Sequence, residues 1–291
     1  MRREILLKPL VRPCSVRATQ VATSDPPSTS SYEPRTFIDL RRLRVVVLVA
    51  VVDRAGRGGT KKVKTAFELV ERRYADLGHA LKWPVSAEIV PIQIMGASKS
   101  LNDRHTLYVS VRAVESDLLD GLVAHEVGHM LRTEARHASH NPEVYRRVSK
   151  EVRIPRAAEG AFSNAFNHIQ DIYADDLSFP VFAAASDSRR AYDFFAAWVD
   201  NNIAMEGKNR WQNLGLAATN GFALGALVRH ELIGPDDPLW DRARAFDTAG
   251  GFHAVDGLAK FYATLPPNPS AEDFVAQVQR LAAILTTASN A

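Results

Sequence analysis

The chain has 291 residues, 46% of them hydrophobic and 24% charged, the composition of an ordinary globular protein. This excludes a collagen-like chain, a disordered chain and a multi-span membrane protein. Lys and Arg exceed Asp and Glu by 36 − 33 = 3, too small an excess to indicate nucleic-acid binding. Its single cysteine, Cys14, excludes an internal disulfide and a cysteine-based zinc site, so any metal must be held by the nine histidines or by carboxylates.

In chain order, residues 1–18 carry Arg2, Arg3, Lys8, Arg12 and Arg17 against one acid, Glu4, and residues 19–36 are rich in Ser, Thr and Pro. Such a segment buries too little apolar surface to order itself, so 1–36 is predicted to be a flexible arm. An Arg-rich, acid-poor start also suits an organellar transit peptide. Ile5–Leu7 is too short for a secretory core, so the expected location is cytoplasmic. Val45 to Val52, the longest apolar run, is too short to span a bilayer and reads as a buried strand over 44–52.

A glycine-bearing loop, Gly56-Arg57-Gly58-Gly59, leads to a helix over 60–79 with Val63, Phe67, Val70 and Tyr74 on one face. The loop does not match a phosphate-binding spacing and reads as a plain tight connection. A strand follows over 86–95, then a polar loop over 96–104. Leu107, Val109 and Val111 alternate with polar residues in a third strand over 106–113. Ser116 is the expected N-cap of a helix reaching about 133. Residues 134–159 read as a polar, basic surface excursion whose Arg146, Arg147, Lys150, Arg153 and Arg156 form a solvated face. A helix over 160–178 ends before Pro180. From there the pattern is helical: 187–206, 211–231, 238–247, 252–263 and 271–287, punctuated by Pro and Gly. A small α/β half thus precedes a helical half.

The chemistry concentrates in His125-Glu126-Val127-Gly128-His129, an H-E-x-x-H pattern. On a helix, residues four apart lie roughly 40° apart in angle and about 6 Å along the axis. Two imidazoles so placed can meet one ion. Glu126, turned by about 100°, stays clear of the ion and can take a proton from a bound water. Gly128 costs helix stability, roughly 1 kcal/mol, and permits a close backbone approach. A catalytic zinc needs a third protein ligand and an open position. His137 and His140 are weaker candidates for that ligand. On the 160–178 helix, His168, Asp171 and Asp175 share one face. There Asp171 is expected to bind the metal and Asp175 to accept the free ring N–H of His125 or His129.

These residues make the chain resemble the zincin metallopeptidases, closest to the gluzincin branch, in which H-E-x-x-H is followed on a later helix by an E-x-x-x-D or E-x-x-A-D pattern. Asp171, Ala174 and Asp175 match it, with aspartate in place of glutamate, over residues 44–178. The shorter side chain leaves His168 as an alternative third ligand. The resemblance implies a zincin-like core over 37–180, with a small mixed sheet, an active-site helix and a third-ligand helix; with the helical pattern that follows, read as an all-helical subdomain over 181–291, the expected fold is α+β. The resemblance also implies a Zn2+ cofactor, a peptide or protein substrate, hydrolysis with Glu126 as general base, and a substrate-aligning edge strand at 106–113. Tyr173, His168, His230 and His253 are candidates to steady the oxyanion. No nucleic acid and no membrane span are expected. The alternatives are a regulatory or binding protein with a structural metal on the same scaffold, and a metal-dependent hydrolase of a non-peptide amide or ester.

Overall fold

The computed structural model describes residues 47–183, 188–204 and 210–290. The expected arm over 1–36 lies outside the described residues. The first half is built on a four-stranded sheet of order β1-β2-β4-β3, with β1 Leu48–Asp53, β2 Val85–Val90, β3 Gly96–Leu101 and β4 Arg104–Ser110. β1, β2 and β4 are parallel, and β3 runs antiparallel to β4. β2 alternates strictly and β4 does so up to Val109: Val85, Ala87, Ile89, Leu107 and Val109 are fully buried, while Ser86, Glu88, Thr106 and Tyr108 between them are partly exposed.

Helix α1 (Thr60–Asp76) connects β1 to β2 and buries Val63, Phe67, Val70 and Tyr74. The loop before it is closed by Asp53, whose carboxylate accepts the N–H groups of Ala55, Gly56 and Gly58 at 3.0, 2.8 and 2.6 Å. These donors are therefore spent on the chain's own anion, as a tight connection requires. Tyr74 donates its hydroxyl to Ala124 O at 2.7 Å, joining α1 to α3 (Leu119–Glu134). A short helix, α2 (Val111–Glu115), precedes α3.

Four expectations change here. The polar stretch 96–104 is largely strand. β3 has no apolar alternation because none of its residues is fully buried, and Asn102 and Asp103 adopt φ of 52° and 54°. Two successive positive φ values are what a tight hairpin turn needs, and Asn and Asp tolerate them. Consequently the strand expected over 106–113 is not an edge: β4 lies between β2 and β3, and β3 is the edge. β4 also ends sooner, because the Ser110 hydroxyl accepts Ala113 N–H at 3.1 Å and caps α2. Ser116 closes α2 instead of opening the long helix.

The second half consists of α4 (Pro142–Glu151), α5 (Glu159–Ala183), α6 (Ser188–Asn201), α7 (Arg210–Arg229), α8 (Pro238–Gly250), α9 (Val255–Ala263) and α10 (Ala271–Asn290). Helix α4 lies in the expected surface excursion. Asn141 caps it by accepting Glu143 N–H at 2.9 Å, Pro142 opens it, and Val144 and Val148 are buried while Arg146 and Lys150 face solvent. Helix α5 runs through Pro180; Phe179 and Val181 on either side are buried in different cores, and that packing outweighs the one backbone bond a proline removes.

The described residues form two apolar cores. One joins α1 and one face of α3 to the sheet; the other gathers residues from Ala138 to Ala288. Helices α3 and α5 run along the junction. They touch where Gly128 faces Ala174: a Cβ on Gly128 would sit 2.6 Å from Ala174 O and 3.3 Å from its Cα. Gly128→Ala is therefore expected to lower the unfolding free energy by about 1–3 kcal/mol despite alanine's better helix propensity. Gly257→Ala, where a Cβ meets nothing within 4 Å, should raise it by up to about 1 kcal/mol. Urea denaturation of the two variants checks both signs.

Candidate metal centre

Helix α3 presents His125 and His129 one turn apart, and the Gly128–Ala174 contact brings α5 close enough for Asp171 to meet them. The three donor atoms form a small triangle: His125 Nε2 to His129 Nε2 is 3.1 Å, His129 Nε2 to Asp171 Oδ1 is 3.4 Å, and His125 Nε2 to Asp171 Oδ1 is 3.7 Å. This group can hold a metal ion. Its side chains keep 18–27% of their surface exposed, so solvent reaches the triangle.

Each apex is held from behind. His125 Nδ1 lies 2.7 Å from Asp175 Oδ1, which also accepts the Ser178 hydroxyl at 3.1 Å. His129 Nδ1 lies 2.8 Å from His140 Nε2. The other oxygen of Asp171, Oδ2, accepts from His168 Nδ1 at 3.0 Å. His168 in turn stacks on Phe222 of α7, with ring centroids 4.4 Å apart, and its Nε2 meets the Thr219 hydroxyl at 3.1 Å. Nitrogen Nε2 of both motif histidines is thus the one turned to the triangle.

The electrostatics favour a cation. Desolvation opposes a charge on His125, but Asp175, Glu126 and Asp171 outweigh it and push its pKa up to about 10. Desolvation likewise opposes ionisation of Asp171, yet hydrogen bonds from histidines and the nearby His168 and His125 hold it well below the usual carboxylate range. Glu126 is 6% exposed. It lies next to His125 in the chain, on α3, near enough to influence that ring.

The structure therefore brings together His125, His129, Asp171 and Asp175, with Glu126 beside them. It places His168 against Asp171 and the α7 side chains, as a partner of the candidate ligand. Tyr173, two residues beyond Asp171, points to the other side of α5. Its buried ring packs on His137 and Phe274, and its hydroxyl has no partner among the described residues. His230 stacks on Phe179 at 3.9 Å, 3.8 Å from Asp176. His253 is exposed on the connection between α8 and α9.

Sequence reasoning passed over the role of residues 137–140. His137 and Ser139 are buried, and with His140 they back the motif helix. Desolvation, and then Arg132, lower the His137 pKa to about 4; desolvation, then His129, His137 and Arg132, hold His140 well below its usual value. Burial therefore opposes a charge on both rings. The available signal was a run of polar side chains directly before an Asn-Pro helix start, a place where a purely solvated excursion has no need of two histidines.

On the far side of α5, Asp176 accepts a bidentate pair from Arg229 at 2.6 and 2.8 Å, and Arg229 also donates to the Ala263 and Leu265 carbonyls. Arg132 of α3 donates to Tyr173 O at 2.8 Å. The helical half is thereby fastened to the two helices that form the triangle. Among the described residues, no helix is long and apolar enough to cross a membrane.

No curated protein and no solved structure matches the chain. A family model does, over residues 55–284, a span that includes the motif helix, α5 and nearly all of the helical half. The chain belongs to the family of unknown function DUF5781.

Proposed function

We propose that the protein is a zinc-dependent metallopeptidase of the zincin type. The observation that carries this reading is the triangle of His125, His129 and Asp171. Donor atoms around a tetrahedral zinc with bonds of about 2.0–2.1 Å are separated by about 3.4 Å. The three separations of 3.1, 3.4 and 3.7 Å centre on that value. Two imidazole nitrogens and one carboxylate oxygen are a donor set zinc accepts, and three protein ligands leave a position for water. Aspartate in place of glutamate is met by the close approach of α5 at Gly128, which shortens the distance the side chain must cover.

In this reading His125, His129 and Asp171 hold the ion. A bound zinc supplies Lewis acidity, bringing the pKa of a water toward neutrality and polarising a carbonyl. Glu126 accepts a proton from the attacking water and delivers it to the leaving amine. Asp175 fixes the His125 ring, and His168 fixes Asp171 through its second oxygen.

What favours a peptide over another amide or an ester is β3. It is an edge strand antiparallel to its neighbour, and it begins at Gly96 against Leu122, one turn before Glu126 on α3. An extended substrate would add to that edge through main-chain hydrogen bonds. The β4 strand, enclosed on both sides, offers no such edge.

Glu126→Gln is expected to retain stoichiometric zinc while cleavage of a mixed peptide library falls by at least about 100-fold, the usual scale of general-base loss. Asp171→Ala should lose both zinc and cleavage. Asp175→Asn should weaken zinc binding by about 10–100-fold, the scale for a partner of a metal-bound histidine. Zinc content by atomic emission, chelator competition and library cleavage by mass spectrometry provide the readouts. Wild-type protein that takes up no stoichiometric zinc would contradict the proposal. Wild-type protein that holds zinc but cleaves nothing, with Glu126→Gln indistinguishable from it, would favour a metal-binding scaffold without catalysis.

A further inference from the structure

The ring nitrogen of His129 that faces away from the triangle meets another imidazole, His140, and not a carboxylate. It opens a chain of hydrogen bonds that runs His129–His140–Ser139–His137 and stops on the Pro267 carbonyl, in the connection between α9 and α10. The direction of every bond in it follows from its last member. A carbonyl oxygen only accepts, so His137 Nε2, 3.2 Å from Pro267 O, carries the proton. A neutral imidazole protonated there has its lone pair on Nδ1. Two donors agree with that assignment: the Ser139 backbone N–H at 3.3 Å and the Ser139 hydroxyl at 2.7 Å both address His137 Nδ1.

The Ser139 hydroxyl proton is then committed to His137, and Ser139 Oγ must accept from His140 Nδ1–H at 2.8 Å. His140 is left with its lone pair on Nε2, where it accepts from His129 Nδ1–H at 2.8 Å. His129 is thereby left with its lone pair on Nε2, facing His125 and Asp171. The reverse direction would place a proton on His129 Nε2, inside the triangle, where it would block coordination. The turn that carries the chain is itself fixed: the Tyr145 hydroxyl and Gln170 Nε2 both donate to Ser139 O.

We propose that His137, Ser139 and His140 are positioning residues that lock the tautomer of His129, so that a carbonyl of the helical half, contributed by Pro267, sets one apex of the metal centre. His129 and Pro267 belong to opposite halves of the chain. The role gives residues 137–140 and the α9–α10 connection a purpose in the site that packing alone would not require. Only the affinity readout rests on the metal reading above; the tautomer readout does not.

Long-range proton–nitrogen NMR of the histidine rings, recorded on the full-length metal-free protein at neutral pH, tests the lock directly. The expected tautomers are Nδ1–H for His129, Nδ1–H for His140 and Nε2–H for His137. Ser139→Ala removes the hydroxyl but keeps the backbone N–H. It should release His140 and His129 into a mixture of tautomers and weaken zinc by roughly 10–100-fold in chelator competition. Ser139→Thr, which restores a hydroxyl, should recover both readouts. An Nε2–H tautomer for His129 in wild type overturns the proposal. So does a folded Ser139→Ala protein with unchanged tautomers and unchanged zinc affinity. If Ser139→Ala does not fold, the wild-type tautomers and the threonine variant still decide. If wild type binds no zinc, the metal reading fails and the tautomers alone decide the lock.

Discussion

Helices α3 and α5 meet at Gly128, where the backbone of Ala174 occupies the space a Cβ would need. Everything around the candidate centre depends on that approach. His125 and His129 flank Gly128 on α3; Asp171 and Asp175 flank Ala174 on α5. A larger residue at 128 would hold the helices apart, and the shorter reach of an aspartate would no longer bring its oxygen within 3.4–3.7 Å of the two ring nitrogens. A glycine that weakens its own helix, by roughly 1 kcal/mol, is thus explained by the distance it permits between two others.

The two cores give the approach its rigidity. Helix α3 is pressed from the sheet side, with Val123, Ala124, Val127 and Met130 buried against α1 and the strands. Most of the buried apolar face of α5 belongs to the helical core. Between them polar side chains pair in two groups. Asp176 joins Arg229, and Arg132 reaches the Tyr173 carbonyl, on one side of α5; His168, Thr219 and Phe222 support Asp171 on the other. The helical half therefore supplies α7 behind the carboxylate apex and, through Pro267, an anchor behind the His129 apex. The family match covers most of this half, to residue 284.

That His125 and His129 share a face, and that His168, Asp171 and Asp175 share another, was legible in the sequence because each spacing is local; that the two helices meet there was expected only from the family resemblance. A spacing of four on a helix fixes which side chains share a face, whatever the tertiary context. The helices of the second half were legible for the same reason, with proline and glycine marking their ends. What was not legible depended on pairing across the chain. β3 reads Gly-Ala-Ser-Lys-Ser-Leu and carries no apolar alternation, since none of its residues is fully buried. Its turn signal, Asn102-Asp103, is ambiguous without knowing that both residues take positive φ. Residues 137–140 looked like solvated polar chain because a buried histidine is recognisable only by the partner it meets, and Pro267 lies 130 positions away. Pro180 read as a helix end because the packing of Phe179 and Val181 into two separate cores cannot be seen from local sequence.

In the proposed function, two imidazole nitrogens and one carboxylate oxygen gathered by the α3–α5 contact form a single metal centre. X-ray absorption at the zinc edge of protein loaded with one equivalent measures this most directly. The expected spectrum has about four nitrogen or oxygen neighbours at about 2.0–2.1 Å, with the outer-shell scattering of two imidazoles. Asp171→Ala should lower the affinity while any residual bound zinc retains the imidazole signal. A first shell of six oxygens, or one without two imidazoles, would contradict the account.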